Sequence, residues 1–385
     1  MTHAMRICTP HCGLSPETTS GGETYERELL VRLGRAGVQL DIILARGRRH
    51  PEGVPSWTVH RFPIARGLRW YVAPFVVPRA IQRVWKSARF DLLRVHSLRY
   101  IGPSALWARS RYDLDVPVVS HHHHLDPSPL NRVIEKRVVE GSDRVVVGSE
   151  FARRQLQAEL GTRVDHVSVV YYGVDPAFEP RQPRTDLLER YGLRDRPVVL
   201  FLGGLKPRKN LFLLLDVWRQ VVSRNPGARL VVAGGGALLE PLRGRVSRLG
   251  LDGHVVFTGY VPENDKVDHF NLADVFLFPS AMEGFGLSVA EAMSVGLPVV
   301  TSDRGSLPEL VVEGQGGFLC PPEQADAFAE RLLQLLGDAA LREKFGWANR
   351  ERVDRLFRWS RCVDETRKVY QDTIEAWRRR PGRRP

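Results

Sequence analysis

Cysteine is scarce in this sequence: Cys8, Cys12, Cys320 and Cys362 are the four in a chain of 385 residues. Cys8 and Cys12 are close, but no second pair at metal-ligand spacing stands beside them, so they read as reduced thiols of a cytosolic protein. No apolar run is long enough to span a bilayer, and the N-terminus has no long apolar stretch, so no signal peptide is expected. A G-x-G-x-x-G fingerprint after the first strand is also missing, and with it the support for a dinucleotide site. Acid is short relative to base: 44 Asp and Glu stand against 56 Lys and Arg, a net charge of +12. That balance favours anionic partners, namely nucleic acid, an acidic membrane surface or phosphorylated small molecules, unless arginine merely solvates the surface.

What is present is a hydrophobic fraction of 43%, enough for two cores, and length sets two domains as the prior. The chain opens with a short strand, Met5 to Cys8, and a Pro-, Gly-, Ser- and Thr-rich loop ending in Gly21-Gly22-Glu23. A helix from Thr24 to Ala36 and a strand from Val38 to Ala45 complete a βαβ unit, whose first strand end is where open α/β sheets bind ligands. Residues 66–86 mix Trp70, Tyr71, Phe75 and Trp85 with five cations, the composition either of a segment resting on an anionic membrane or of a helix packed on its own domain with its arginines outward; Pro74 and Pro78 are expected to interrupt a single long helix there, which speaks against the membrane reading. The strand Val116 to Ser120 runs into four histidines, His121 to His124. Successive residues of an extended chain alternate sides, so the four cannot share one metal, and a loop where one or two meet a substrate is the better reading.

Between Gly173 and Pro197 the strand period stops and prolines gather, which reads as a domain linker. A second βα series follows. Its first strand, Val198 to Leu202, ends in a loop carrying Gly203, Gly204, Lys206, Arg208 and Lys209 at a helix start, a cationic site suited to a diphosphate. Gly234 to Gly236 forms another loop, and Glu283-Gly284-Phe285-Gly286 a third, opening a helix from Leu287 that carries Glu291. Carboxylates next to phosphate sites need a reason; ionised carboxylates accept hydrogen bonds only, and a hexose and a ribose are surfaces of donors. One glutamate for each ring and a lysine for the diphosphate fit a nucleotide sugar. The tail RRRPGRRP reads as a disordered basic end.

The stretch Glu283 to Glu291, EGFGLSVAE, resembles the E-x7-E motif of the retaining GT-B glycosyltransferases in glycosyltransferase family 4 (glycosyl transferases group 1), and GLPVVTSDRGSLPELV resembles the segment after it, with Ser306 at the second glycine. Gly21-Gly22-Glu23 is similar to the family's Gly-Gly-x-Glu loop with the glutamate one position early, VVSHHHH to its histidine site, Asp143 to Ser149 to its D-x-v-i-x-x-S, Tyr172-Gly173-Val174-Asp175 to its NGVD, and Gly259-Tyr260-Val261 also fits. The resemblance covers most of the chain. It implies an α/β, GT-B fold: two Rossmann-like parallel-sheet domains facing a central cleft, with a C-terminal helix crossing back to the first. The expected bounds are 1–176 (with the helix at about 361–377) for the acceptor domain, 177–360 for the nucleotide-sugar domain and 378–385 for the tail.

By this resemblance Glu283, Lys209 and His122 are the catalytic set. Gly21, Gly22, Gly204, Lys206, Arg208, Gly259, Tyr260, Val261, Gly284, Phe285, Gly286, Leu287 and Glu291 join Glu283 and Lys209 on the donor, while His121, His122 and His123 face the acceptor side. Glu283 would touch the sugar hydroxyls, the Phe285 and Gly286 amides the sugar and diphosphate, and Glu291 the ribose. The family commonly has G-R-L-x-x-x-K where this chain has Gly204 in place of the arginine, and Lys206 or Arg208 are the candidates for its charge. The implied reaction moves a hexose from a nucleotide-sugar donor to a hydroxyl with retained configuration. It needs neither metal nor cofactor, and its acceptor is a lipid-linked or cell-envelope glycan or another glycoconjugate. The expected enzyme is cytoplasmic, with peripheral contact to an anionic membrane. The alternatives are a glucan-synthase-like polymer-forming GT-B enzyme and a basic polyanion-binding protein.

Overall fold

The computed structural model describes residues 4–18, 21–63, 69–96, 98–123 and 128–380. The chain divides into two compact units: residues up to Tyr171 together with those from Trp359 on, and Tyr172–Arg358. Among the described residues no helix is long and apolar enough to cross a membrane.

The first unit alternates strand and helix: β1 (Arg6–Pro10), α1 (Gly21–Arg35), β2 (Gln39–Ala45), β3 (Trp57–Phe62), α2 (Arg69–Ser87), β4 (Leu92–Val95), α3 (Ile101–Arg111), β5 (Val118–His122), α4 (Pro129–Gly141), β6 (Arg144–Val147), α5 (Glu150–Leu160) and β7 (Val167–Val169). Its seven strands are all parallel in the order β3-β2-β1-β4-β5-β6-β7. Parallel strands are covered on both faces by their crossover helices, which is why β2 and β4 are buried almost throughout. The order reverses between β1 and β4, where an open α/β sheet leaves a crevice at its strand ends.

The second unit repeats the plan: α6 (Thr185–Arg190), β8 (Val198–Leu202), α7 (Leu211–Arg224), β9 (Arg229–Ala233), α8 (Leu239–Arg248), β10 (Val255–Gly259), α9 (Lys266–Phe270), β11 (Val275–Phe278), α10 (Leu287–Ser294), β12 (Val299–Ser302), α11 (Leu307–Leu310), β13 (Gly317–Cys320), α12 (Ala325–Gly337) and α13 (Ala339–Leu356). Its six parallel strands run β10-β9-β8-β11-β12-β13, with the reversal between β8 and β11. The apolar runs VVLFL and VFLF of those two central strands are wholly buried. The last helix, α14 (Trp359–Arg378), returns to the first unit and packs on α1. There Tyr25 stacks on Trp359, ring centroids 5.4 Å apart.

Four expectations change. Gly21 and Gly22 are not loop residues but the first turn of α1, where the helix still lacks intrahelical acceptors for its N–H groups and glycine costs little. Glu23 in that turn ties down the preceding loop, accepting from Ser15 N at 2.9 Å and Thr18 Oγ1 at 3.0 Å. Pro74 and Pro78 lie inside one continuous α2; burial of Val77, Ile81 and Val84 in the unit's core outweighs the two lost backbone bonds. His121 and His122 belong to β5, whose pairing with β6 carries the strand two residues past Ser120. The stretch 173–197 is more ordered than its prolines suggest: it holds α6, and Phe178, Leu187 and Leu193 are buried. His124 and Arg66 lie outside the described residues.

Candidate active site

In the second unit the loops after β8 and β11, the two strands flanking the reversal, meet around one carboxylate. Lys209 Nζ donates to Glu283 Oε1 at 2.6 Å, and the Arg208 guanidinium lies 2.8 Å from the same oxygen. Ser280 Oγ donates to it as well, at 2.7 Å. Among the described residues no donor reaches the other oxygen, Oε2. Burial pushes the Glu283 carboxyl up, but Lys209 and Arg208 more than offset it and hold it below the usual carboxylate range. Burial draws the Lys209 ammonium down and Glu283 opposes that shift. Lys209 also stands 4.3 Å over the Phe278 ring, so its stem is fixed from below by β11.

The surrounding backbone needs glycine at several places, Gly305 and Gly234 among them. Gly305 has φ +64°, and a Cβ there would sit 2.5 Å from the Glu283 carbonyl oxygen, which accepts from the Ser306 N–H at 3.1 Å. Gly234 has φ +149°, and its Cβ would meet the Gly203 carbonyl oxygen at 1.9 Å, so only a bare backbone lets the β8 and β9 loops lie this close. A Cβ at Gly204 would meet only the exposed Lys206 side chain, in ordinary contact at 3.7 Å. Gly259 ends β10 and Tyr260 follows it on the next loop; Tyr260 is exposed and Val261 is buried.

The second glutamate sits on α10. Gly286, at φ +92°, starts that helix, Leu287 is its first residue and Gly284 and Phe285 form the turn before it. Phe285 is buried between Tyr172 and Phe357, with ring centroids 4.9 and 5.7 Å away. Glu291 is buried with Oε1 3.5 Å from Lys266 Nζ, while Oε2 has no partner among the described residues. Burial pushes its carboxyl up to about 7, against the pull of Lys266. Glu283 and Glu291 each have a lysine beside one oxygen and, among the described residues, no donor on the other, but Lys209 grips Glu283 at 2.6 Å whereas Lys266 lies 3.5 Å from Glu291 and closer, at 2.9 Å, to Glu263.

The histidine run falls in the first unit within a buried polar network. His121 Nε2 lies 2.7 Å from Tyr370 Oη on α14. Arg94 donates through Nε to that hydroxyl at 2.8 Å and through NH2 to Glu26 Oε2 at 2.7 Å. His123 Nε2 lies 2.9 Å from Glu26 Oε1, and His11, stacked on His96 at 3.6 Å, lies 3.4 Å from Oε2. Since an arginine N–H can only donate, the Tyr370 hydroxyl keeps its own proton for His121, which burial holds well below its ordinary pKa and therefore neutral. Burial pushes Glu26 up, yet Arg94 and the histidines hold it well below the carboxylate range. His122 is buried in β5 and, by strand alternation, points to the opposite side from His121. The sequence reading missed Glu26, Arg94, His11, His96 and Tyr370. One signal was available: a lone arginine inside the apolar strand LLRV needs a buried counter-charge. It missed Lys266 too, which no motif marks. Among the described residues no three His, Cys, Asp or Glu side chains gather as a metal site would require.

Comparison with known proteins agrees with the fold and the motifs. The family described as Glycosyl transferases group 1 matches residues 184–352, and Glycosyltransferase Family 4 matches residues 19–178. The GDP-mannose-dependent alpha-(1-6)-phosphatidylinositol monomannoside mannosyltransferase of Mycobacterium tuberculosis is 33% identical over 291 residues, which are 72% of this chain and 73% of that protein. The D-inositol 3-phosphate glycosyltransferase of Saccharomonospora viridis is 31% identical, with 93% of this chain and 90% of that one covered. Among solved structures, sucrose-phosphate synthase from Thermosynechococcus elongatus superposes with a TM-score of 0.81 over 97% of this chain and 100% of its own, at 23% identity. Anabaena HepE in complex with UDP-glucose gives 0.77 over 96% and 100%, at 20% identity. Two parallel Rossmann-like sheets of this order define a GT-B protein. The chain belongs to the GT4-type glycosyltransferases of the GT-B fold.

Proposed function

We propose that this enzyme moves a hexose from a nucleotide-diphosphate sugar to a hydroxyl acceptor, with retention at the anomeric carbon and without a metal ion or other cofactor. The observation that carries the donor assignment is the paired construction of the two glutamates. Each is buried, with a lysine beside one oxygen and the other open, and Glu291 Oε2 is a buried acceptor still lacking a donor. An orphaned buried acceptor costs stability, and a ribose or hexose hydroxyl supplies the missing proton.

Glu283 accepts from the sugar hydroxyls and Glu291 from the ribose. Lys209 faces the diphosphate, with Lys206 and Arg208 carrying the charge that Gly204 lacks. The amides of Phe285, Gly286 and Leu287, with Gly284 before them, hold sugar and diphosphate at the start of α10, where helix N–H groups favour an anion. Gly259, Tyr260 and Val261 line the nucleotide side. Catalysis is then chiefly stabilisation of the leaving diphosphate, which takes the acceptor's proton as it departs on the same face the acceptor enters. Glu283 is ill suited as a covalent nucleophile, because three donors already hold it. In the first unit we assign His122, which by strand alternation lies on the face of β5 opposite His121, to the sugar and acceptor. Gly21 and Gly22, at the head of α1, remain assigned to the donor phosphates.

The relatives named for a phosphatidylinositol mannoside and for D-inositol 3-phosphate support a lipid-linked or small-molecule hydroxyl acceptor. We place the enzyme in the cytoplasm, in peripheral contact with an anionic membrane. The test is a screen of acceptor-free hydrolysis of UDP-, GDP- and ADP-sugars, with the anomer of the transfer product read by NMR. Loss of turnover in both Glu283→Ala and Lys209→Ala with the fold intact is expected. Full activity in both variants would overturn the site, and an inverted product would overturn retention.

A further inference from the structure

A groove between α2, α3 and α4 has no part in the donor site. It encloses about 350 Å³ and is lined by Pro74, Leu106, Ile134 and Val138 together with Arg99 and Arg137. Among the described residues, the exposed large apolar side chains of the first unit are Phe75, Trp107, Leu130 and Val133, and all four fall on these three helices. They continue the groove outward. Leu130, Val133, Ile134 and Arg137 lie at helical spacing on one stripe of α4, and Pro103, Leu106 and Trp107 do so on α3. Phe75 adjoins Pro74 on α2.

The charge around this apolar face has one sign. Neither α2 nor α3 contains an aspartate or glutamate. On α4, Glu135 is buried and Glu140 is opposite Lys136 at 3.8 Å. Arg83, Lys86 and Arg137 pair with no carboxylate among the described residues, and Arg79 reaches only the Phe75 carbonyl, at 3.3 Å.

We infer that the α2–α3–α4 face docks on an anionic phospholipid bilayer, its groove taking the apolar part of a lipid and its cations the lipid phosphates. Unsatisfied cations beside exposed aromatic and aliphatic side chains match a membrane interface, where both find a partner at once. A nucleic acid would use the cations but leave Phe75, Leu130 and Val133 against water. A second copy meeting the same face would set like charges together. The inference deepens the proposed function, because it gives a lipid-linked acceptor its surface, yet docking itself needs no transfer.

The experiment is co-sedimentation of the full chain with vesicles of phosphatidylcholine alone and of phosphatidylcholine and phosphatidylglycerol in equal amounts. Wild type is expected to pellet with the anionic vesicles and to stay in solution with the neutral ones. Arg137→Glu should weaken the anionic binding by about fivefold or more, and Leu130→Asp by about tenfold, while Trp347→Glu, an exposed site on the second unit, changes nothing. Nucleotide binding by calorimetry is measured on every variant and should be unaltered. If Arg137→Glu and Leu130→Asp pellet like wild type, or wild type ignores both vesicles, or the variants alter only self-association or binding of a short DNA duplex, the inference is overturned. Intact nucleotide binding in that case leaves the donor reading standing; lost nucleotide binding in wild type would strike the donor reading instead.

Discussion

Lys209 Nζ stands 2.6 Å from Glu283 Oε1, and both side chains are buried in the loops that follow the neighbouring strands β8 and β11. A charge pair out of water persists only while both partners remain. Lys209→Met should therefore cost about 3 kcal/mol, the lower end for a broken buried pair because Arg208 stays on Glu283. Adding Glu283→Gln should restore part of the loss, a coupling of roughly 1–3 kcal/mol. Urea unfolding of the two single variants and the double variant measures it; additive losses would show that the pair does not act as one.

Glu291 titrates in the physiological range. Its carboxyl sits at about 7, above its ordinary value, because burial favours the neutral form. The folded state therefore binds more protons than the unfolded one between the usual carboxylate range and pH 7, and this group's contribution to ligand-free stability falls as pH rises through that window. Nucleotide binding runs the other way, since the ionised carboxylate is the better acceptor for ribose. Affinity for the nucleoside diphosphate should increase from pH 6 to pH 8 on the order of tenfold, and Glu291→Gln should flatten that profile. Calorimetric titration across pH decides it; an unchanged profile in the variant would assign the dependence to another group.

Gly234→Ala places a methyl group 1.9 Å from the Gly203 carbonyl oxygen at a φ of +149°. The expected cost exceeds about 2 kcal/mol, with loss of nucleotide binding because the β8 loop carrying Lys209 must move. Gly204→Ala, whose methyl group would meet only the Lys206 side chain at 3.7 Å, should change stability by less than about 1 kcal/mol. Thermal unfolding of the two variants gives the contrast.

Tyr370 ties α14 into the first unit's polar network through Arg94 and His121. Tyr370→Phe leaves a buried guanidinium N–H and an imidazole nitrogen without that partner, at a cost of about 1–3 kcal/mol. Hydrogen exchange should show α14 and the end of β5 opening more often, with the second unit unchanged. Equal protection in both proteins would make the hydroxyl dispensable.

Part of the candidate site was legible. Glu283, Lys209 and Glu291 stand out because carboxylates and a lysine beside glycines at strand ends are a local pattern, and the structure brings Lys209 and Glu283 together. β8 matched to the residue, since a short apolar run bounded by turn residues reads as a buried parallel strand. The helix α2 was misread because Pro74 and Pro78 are judged locally, whereas the packing that keeps them helical is not local. β13 and α11 went unseen, because GFLC opens on a glycine and LPEL is a single turn holding a proline, so neither gives a clear period. Lys266 and the Arg94–Glu26–Tyr370 network were invisible because their partners lie 25 to 276 positions apart in the chain.

The sequence by itself determined the fold class, the alternation of strand and helix in two halves, and the glycine loops that end the central strands, because all of these follow from short-range periodicity and backbone freedom. Only the tertiary structure decided which charges are neutralised and which stay open. It brought Lys209 and Arg208 onto one oxygen of Glu283, and Lys266 beside one oxygen of Glu291. It also set His121 and His123 against Tyr370 and Glu26. Those pairings depend on where the sheet places residues distant in the chain, and the desolvation that makes them matter exists only once the units are packed.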